Sequence, residues 1–435
     1  MKNRSLKHLG FNSLIERFKS IIQEVKDSRL AVRRQFELSD LVLSAFGCMY
    51  SQEPSLLSFQ RTMQEEERRN NLCSMFRVQE IPKDTQMREV LDQFPSSKFE
   101  EVFNDYFLRL QRGKHLEQYR FLQGSYLVTM DGTQFFCSEK LLCGKCLEAK
   151  DKDGNVQRHS HQALQLAVVH PDLKQVIPLM PEEIANTDGS TKQDCEINAA
   201  KRSITRLRTN HPQLDITLVA DGLFSKQPMI EHARDKRMHF IFVAKPTDHK
   251  YLFEQLTSSG KLLEKNVVKD GKTFVYRWAT DVLLNARKDA ISVNYFSIDI
   301  INDDKITYRN SWVTDHEVSK QSVEKLVAAG RARWKIENEC FNTLKNQGYN
   351  LEHNYGHGEQ NLCFNFYLLI LLSFLYHQIF ELTDEIYQTC IRRQTKKEFW
   401  IEIRYLLKQV FFESWDTLMR FLFTKEKLIP LSRSP

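Results

Sequence analysis

The spacing of apolar residues changes along this chain, and the changes divide it. Residues 1–118 read as helical throughout. Ser39-Asp-Leu-Val-Leu-Ser-Ala-Phe46 is an N-cap followed by an apolar stripe, and Ser58–Asn71 and Lys83–Asp92 are charged and free of internal proline. From about 119 the pattern shortens to strands. Tyr126–Met130 runs up to Asp131, and Gln134-Phe-Phe136 leads into a polar hairpin from Ser138 to Arg158. Gln162–Val169 and Val176–Met180 are the next two strands, bounded by Pro171 and Pro181. A helix over Gln193–Thr209 carries acids early (Asp194, Glu196) and bases late (Lys201, Arg202, Arg206, Arg208), as a helix dipole favours. The strand Ile216–Ala220 ends at Asp221, and a helix over Gln227–Lys236 and the strand His239–Ala244 follow.

Between about 250 and 315 the runs become alternating and aromatic-rich: Thr273–Trp278, Ile291–Ile300 and Ile306–Val313, split by the turn signals Asp270-Gly271 and Asp303-Asp304. Residues 317–350 return to helix, and the chain from about 360 is helical and apolar. The predicted division is a helical N-terminal region (1–118), the first part of an α/β core (119–249), a β-rich insertion (250–315), the remainder of the core (316–360) and a C-terminal helical region (361–435). Three strands, a helix, a strand, a helix and a strand is the element order of a ribonuclease-H-like fold. The most apolar segment, Leu362–Leu382, is interrupted by Asn365, Ser373, His377 and Gln378, and its unbroken part falls short of the roughly 20 residues that a bilayer requires. It reads as a buried core helix.

Composition narrows the picture only slightly. The 435 residues carry 62 basic and 56 acidic side chains, a net charge of +6, which suits a nucleic-acid partner without requiring one. Nine dispersed cysteines and the lack of an export signal point to a reducing cytoplasm rather than a disulfide framework. Arginines recur in the first region (Arg29, Arg33, Arg34, Arg61, Arg68, Arg69, Arg77, Arg88), where DNA binding is expected although each alone reads as part of a solvated face.

The chemistry is carried by carboxylates. Asp131 and Asp221 each follow an apolar strand-like run, where an unpaired carboxylate is costly, although Asp-Gly is also a common turn dipeptide. The basic helix Arg333-Trp-Lys-Ile-Glu337 supplies a third, and three such groups are the minimal set for holding two divalent metals at a phosphodiester. Arg333 and Glu337, four residues apart, share a helix face, while Glu339 points about 200° away from Glu337 at 3.6 residues per turn. Trp334 reads as core packing.

These residues resemble a DDE transposase of a bacterial insertion sequence, of the group with a β-strand insertion before the glutamate. The likeness covers roughly 119–360, and its signature is Tyr-x2-Arg-x3-Glu-x6-Lys. Arg333 and Glu337 match it, Gly330 stands at the Tyr position, and Lys345 comes one residue late, which keeps Glu339 open as an alternative. The resemblance implies an enzyme in which Asp131, Asp221 and Glu337 hold two Mg2+ (Mn2+ substituting), with Arg333 and Lys345 on DNA. It would cut terminal inverted repeats, join them to target DNA, form no covalent protein–DNA intermediate, and work as a dimer on DNA at the bacterial nucleoid. A nuclease with the same site and a transposase-derived DNA-binding protein without catalysis are the competing readings.

Other groups are weaker. Cys143, Cys146, His159 and His161 form a candidate structural Zn2+ site, against the favoured reading of an ordinary polar hairpin. Leu351–Gly358 reads as a C-cap turn with hydrogen-bonded histidines. Asp188, Asp194 and Glu196 read as surface and capping acids. The insertion's aromatics (Phe274, Tyr276, Trp278, Tyr295, Tyr308, Trp312) are expected in its core. So are most of Phe399, Trp400, Phe411, Phe412, Trp415 and Phe421 in the C-terminal helices.

Overall fold

The run Tyr126–Met130 becomes a strand, but the strand does not stop at Asp131. β1 spans Tyr126–Ser138 in a computed structural model that describes residues 6–27, 29, 34–64, 70–185 and 193–424. Arg33, Arg68, Arg69 and Asp188 lie outside the described residues. The chain forms two compact units, one mainly helical (1–115, 135–161 and 342–435) and one built on a sheet (116–134 and 162–341).

In the sheet unit, β1 pairs in parallel with β6 (Ile216–Ala220), from Tyr126↔Ile216 to Thr129↔Val219. β6 pairs in parallel with β7 (His239–Val243). All five residues of β6 are buried, the pattern of a parallel strand covered on both faces. β3 (Val156–Val169) flanks β1 on the other side, and its far edge takes β4 (Ile177–Pro178) and β5 (Glu182–Ile184) antiparallel. The expected third strand, Val176–Met180, is thus cut down to two residues, ending on Pro178 with Pro181 close behind, since proline cannot donate to a ladder. Helices Glu196–Asn210 and Gln227–Asp235 connect the strands on either side of β6. The order β4/β5, β3, β1, β6, β7 is the expected ribonuclease-H-like α/β core.

The segment after β7 opens with a helix, Lys250–Ser258, which the strand pattern had hidden. Then come β8 (Leu263–Lys269), β9 (Lys272–Leu283), β10 (Ser292–Asn302) and β11 (Lys305–Thr314), a run of antiparallel neighbours. Asp270-Gly271 (φ +48° and +72°) and Asp303-Asp304 (+47° and +58°) make the paired left-handed turns that a two-residue hairpin requires. β11 pairs with β7 through Trp312↔Val243 to Thr314↔Ile241, so the inserted strands extend the core sheet. Tyr276, Trp278, Tyr295 and Trp312 are buried, and Trp312 stacks on Phe296 with centroids 5.2 Å apart.

The helical unit is organised around Leu362–Thr383, whose apolar window is 94% buried. Two of the polar residues that interrupt it, Asn365 and Ser373, are hydrogen-bonded within the unit. Asn365 donates to the carbonyls of Leu91 and Phe94 (2.6 and 2.8 Å) and accepts from Ser96 (2.7 Å). Ser39 is not a cap: the helix is Leu38–Tyr50, and Ser39 is buried within it. The charged run Ser58–Asn71 is no single helix either. One helix is Leu56–Gln64, and a second, Asn71–Phe76, starts where Asn70 accepts from Leu72 and Cys73 N–H (2.9 and 3.0 Å). Phe399, Trp400, Phe412 and Trp415 are buried within the unit, while Phe411 is exposed. Residues 135–161, comprising the end of β1, β2 (Leu147–Lys150) and the start of β3, belong to this unit.

Candidate active site

The pairing Thr129↔Val219 is the last between β1 and β6. Asp131 and Asp221 each lie two residues beyond it, so the register brings them to equivalent positions on neighbouring parallel strands and, by the two-residue period, to one face. Asp131 is held by its neighbour Gly132 N–H (3.0 Å), and Asp221 caps the turn Gly222–Phe224 by accepting from Leu223 N–H (2.9 Å). The third group arrives on Ile336–Phe341. Arg333 Nη1 lies 2.6 Å from Glu337 Oε1 and 3.5 Å from Asp131 Oδ2, with the guanidinium only 11% exposed. One buried cation thus bridges two of the three carboxylates.

The charges feel one another. Burial, then the nearby Glu337 and Asp221, push the Asp131 carboxyl up to about 7 against the pull of Arg333. Glu337, rather than Glu339, is the glutamate that Arg333 holds at 2.6 Å and that bears on Asp131. A fourth carboxylate joins them. Burial and the Asp221 charge raise Glu196, and a Cβ on Gly132 would collide with the Glu196 carboxylate. Glu196 had read as a capping acid; its place in the first turn of its helix fits the dipole equally well, and that masks its direction. Asp194, by contrast, is tied up by Arg202 at 2.7 Å. An all-oxygen set of this kind suits a hard divalent cation such as Mg2+.

The glutamate segment is a π-helix, Ile336–Phe341. A π turn takes in one residue more than an α turn, the same excess by which Lys345 departs from the expected spacing after Glu337. Position 330 is explained too. A Cβ on Gly330 would sit 2.7 Å from the Trp312 indole, so the space that a tyrosine would need is already filled. Trp334 is 47% exposed with Arg333 over its ring (5.6 Å), so the expected core role is corrected: the ring lies half in solvent. Lys345 lies in the helical unit, on the helix Asn342–Asn346, and pairs with Glu352 at 2.9 Å.

A family model described as "Transposase DDE domain" matches residues 154–375, just over half of the chain. The chain belongs to the DDE transposase family. Members of this family act on DNA and use divalent metal ions. The matched span includes Asp221 and Glu337 but starts after Asp131, which strand register sets beside Asp221 and Arg333 links to Glu337. No curated protein matches the transposase.

The candidate zinc set needs a correction. Cys143, Cys146 and His161 come together, but the fourth side chain is His357, from the loop before Leu362–Thr383, and not His159. His159 sits opposite Glu148 in the β2–β3 ladder. The loop 351–358 therefore does more than cap a helix.

Proposed function

We propose that this DDE transposase cuts DNA at the ends of its mobile element and joins the freed 3′-hydroxyls to target DNA, with Asp131, Asp221 and Glu337 as ligands of two Mg2+ ions. The observation that carries the reading is the register Thr129↔Val219, continued by the Arg333–Glu337 pair into one carboxylate cluster. Bound divalent ions would supply an activated attacking oxygen and stabilise the leaving one. Arg333 orients Glu337 and offers its remaining N–H donors to a phosphate beside it. Lys345, on a flexible stem, is a second phosphate contact, and Trp334 presents an exposed ring on which a base can stack. No nucleophilic side chain is required.

A binder without catalysis fits less well. Four carboxylates close enough for their charges to repel one another are costly to hold together, which favours a site that binds cations. The helical residues 1–118 are proposed to add DNA affinity. Arg29 and Arg77 already pair with Asp27 and Glu16, and Arg88 pairs with Asp84, whereas Arg61 is exposed. One triad per chain serves one DNA end, so paired ends call for a dimer on DNA. The test is incubation of DNA carrying the element's ends with Mg2+: cleaved and joined products are expected. Cleavage without joining would leave a nuclease, and binding without either would leave a binder.

A further inference from the structure

We propose that Cys143, Cys146, His161 and His357 bind a structural zinc ion in the helical unit. All four ligand atoms lie within 4.8 Å of one another. With Zn–S of about 2.3 Å and Zn–N of about 2.0–2.1 Å, a tetrahedral site requires edges of about 3.8 Å (S···S), about 3.5 Å (S···N) and about 3.3 Å (N···N). The observed edges are 3.9 Å between Cys143 and Cys146 Sγ, 3.4 Å for Cys143–His161, Cys146–His161 and Cys146–His357, and 3.2 Å between the two Nε2 atoms.

Hydrogen bonding among neutral groups does not explain this convergence. Nε2 of an imidazole has one lone pair or one hydrogen, yet His161 Nε2 meets three partners within 3.4 Å. A shared cation satisfies all of them together. The two Sγ atoms are 3.9 Å apart, too far for a disulfide to join them.

The backbone around His357 is shaped to present it. Gly356 (φ +148°) and Gly358 (φ +69°) flank it, and a Cβ on Gly358 would strike Asp92 and Leu362. Arg88 binds the Tyr355 carbonyl (2.7 Å), and Asp92 accepts from the N–H groups of Glu359, Gln360, Asn361 and Leu362 at 2.9–3.0 Å. Lys145, between the two cysteines, donates to Asn361 (2.8 Å). The loop and the Cys-x2-Cys turn are thus held by hydrogen bonds of their own. Zinc would staple the base of the polar hairpin to the loop after the glutamate segment.

Metal content of the full-length protein, purified without chelator, tests this. About one zinc per chain is expected, falling to about a tenth in Cys143→Ser and His357→Asn and staying near one in His159→Ala. Glu337→Gln should keep its zinc, which separates this site from the carboxylates whatever becomes of the catalytic reading. Cobalt in place of zinc should give the visible absorption of a tetrahedral S2N2 site, and circular dichroism checks that each variant folds. Wild-type protein with no zinc, and no rise in Tm on adding zinc to the reduced chain, overturns the proposal. Loss of metal in His159→Ala but not in His357→Asn, or a Cys143–Cys146 disulfide by mass, overturns it as well.

Discussion

The two clusters of ligating side chains in this protein are opposites in construction. The carboxylates of the sheet unit stand in unfavourable proximity: Asp131 is driven to about 7 by burial and by Glu337 and Asp221, against the pull of Arg333 and the Gly132 N–H. The thiols and imidazoles of the helical unit sit where their loop is already fastened by Arg88 and Asp92. One cluster is open, with Glu337 40% exposed; the other is mostly enclosed, with Cys146 and His161 buried. An open, strained, all-oxygen cluster is what a site for exchanging substrate requires, and a closed soft-donor cluster is what a structural ion requires.

That contrast can be broken at several points. The largest effect should come from Asp131→Asn, Asp221→Asn or Glu337→Gln, each of which preserves shape but removes charge. Strand cleavage should fall on the order of 1000-fold while DNA binding stays within a few-fold, as read by single-turnover cleavage beside a gel-shift titration. Arg333→Ala should cost about 10- to 100-fold in cleavage, as loss of an orienting partner of a ligand does. Arg333→Lys should recover only part, since an ammonium on a flexible stem holds the position of the single Nη1 that meets both Asp131 and Glu337 less firmly than a planar guanidinium does. Equal activity in Arg333→Ala would remove the bridge from the account.

Stability should move in opposite directions for the two clusters. Cys143→Ser is expected to lower the Tm on the order of 10 °C through loss of the bound ion. Asp131→Asn in metal-free buffer at pH 8 should raise it by roughly 2–4 °C, because a repelled buried charge is gone. The sign follows from linkage. The folded pKa of Asp131 lies above its ordinary value of 3.8, so the native state binds the extra proton; wild type loses stability as pH rises from 4 through about 7, and Asp131→Asn does not. Thermal melts of both proteins across that range check it. A Tm that falls in Asp131→Asn would show the carboxylate to be a structural support.

How much of this could be read in advance depended on whether a signal was local. Asp221 was legible because β6 is buried on both faces and writes itself as five apolar residues ending in a carboxylate. Asp131 was legible by the same rule although its strand runs on to Ser138. Arg333 and Glu337 were legible through four-residue spacing, which holds at the entrance to the π segment. The π turn itself has no such signature, so the late Lys345 read as a mismatch. Glu196 was hidden because an acid opening a helix is already explained by the dipole. His357 was hidden because it is 196 residues from its partner His161, and local ligand spacing favoured His159 instead. The helix Lys250–Ser258 was lost among alternating neighbours.

Mg2+-dependent cleavage of end-bearing DNA by Glu337→Gln beside Glu339→Gln tests whether Glu337 completes the triad with Asp131 and Asp221. The two glutamates lie in the same π segment, two residues apart, so a general loss of folding would affect both variants. Glu337→Gln should be inactive at saturating Mg2+, and Glu339→Gln should cut within a few-fold of wild type. Active Glu337→Gln with inactive Glu339→Gln would contradict that assignment.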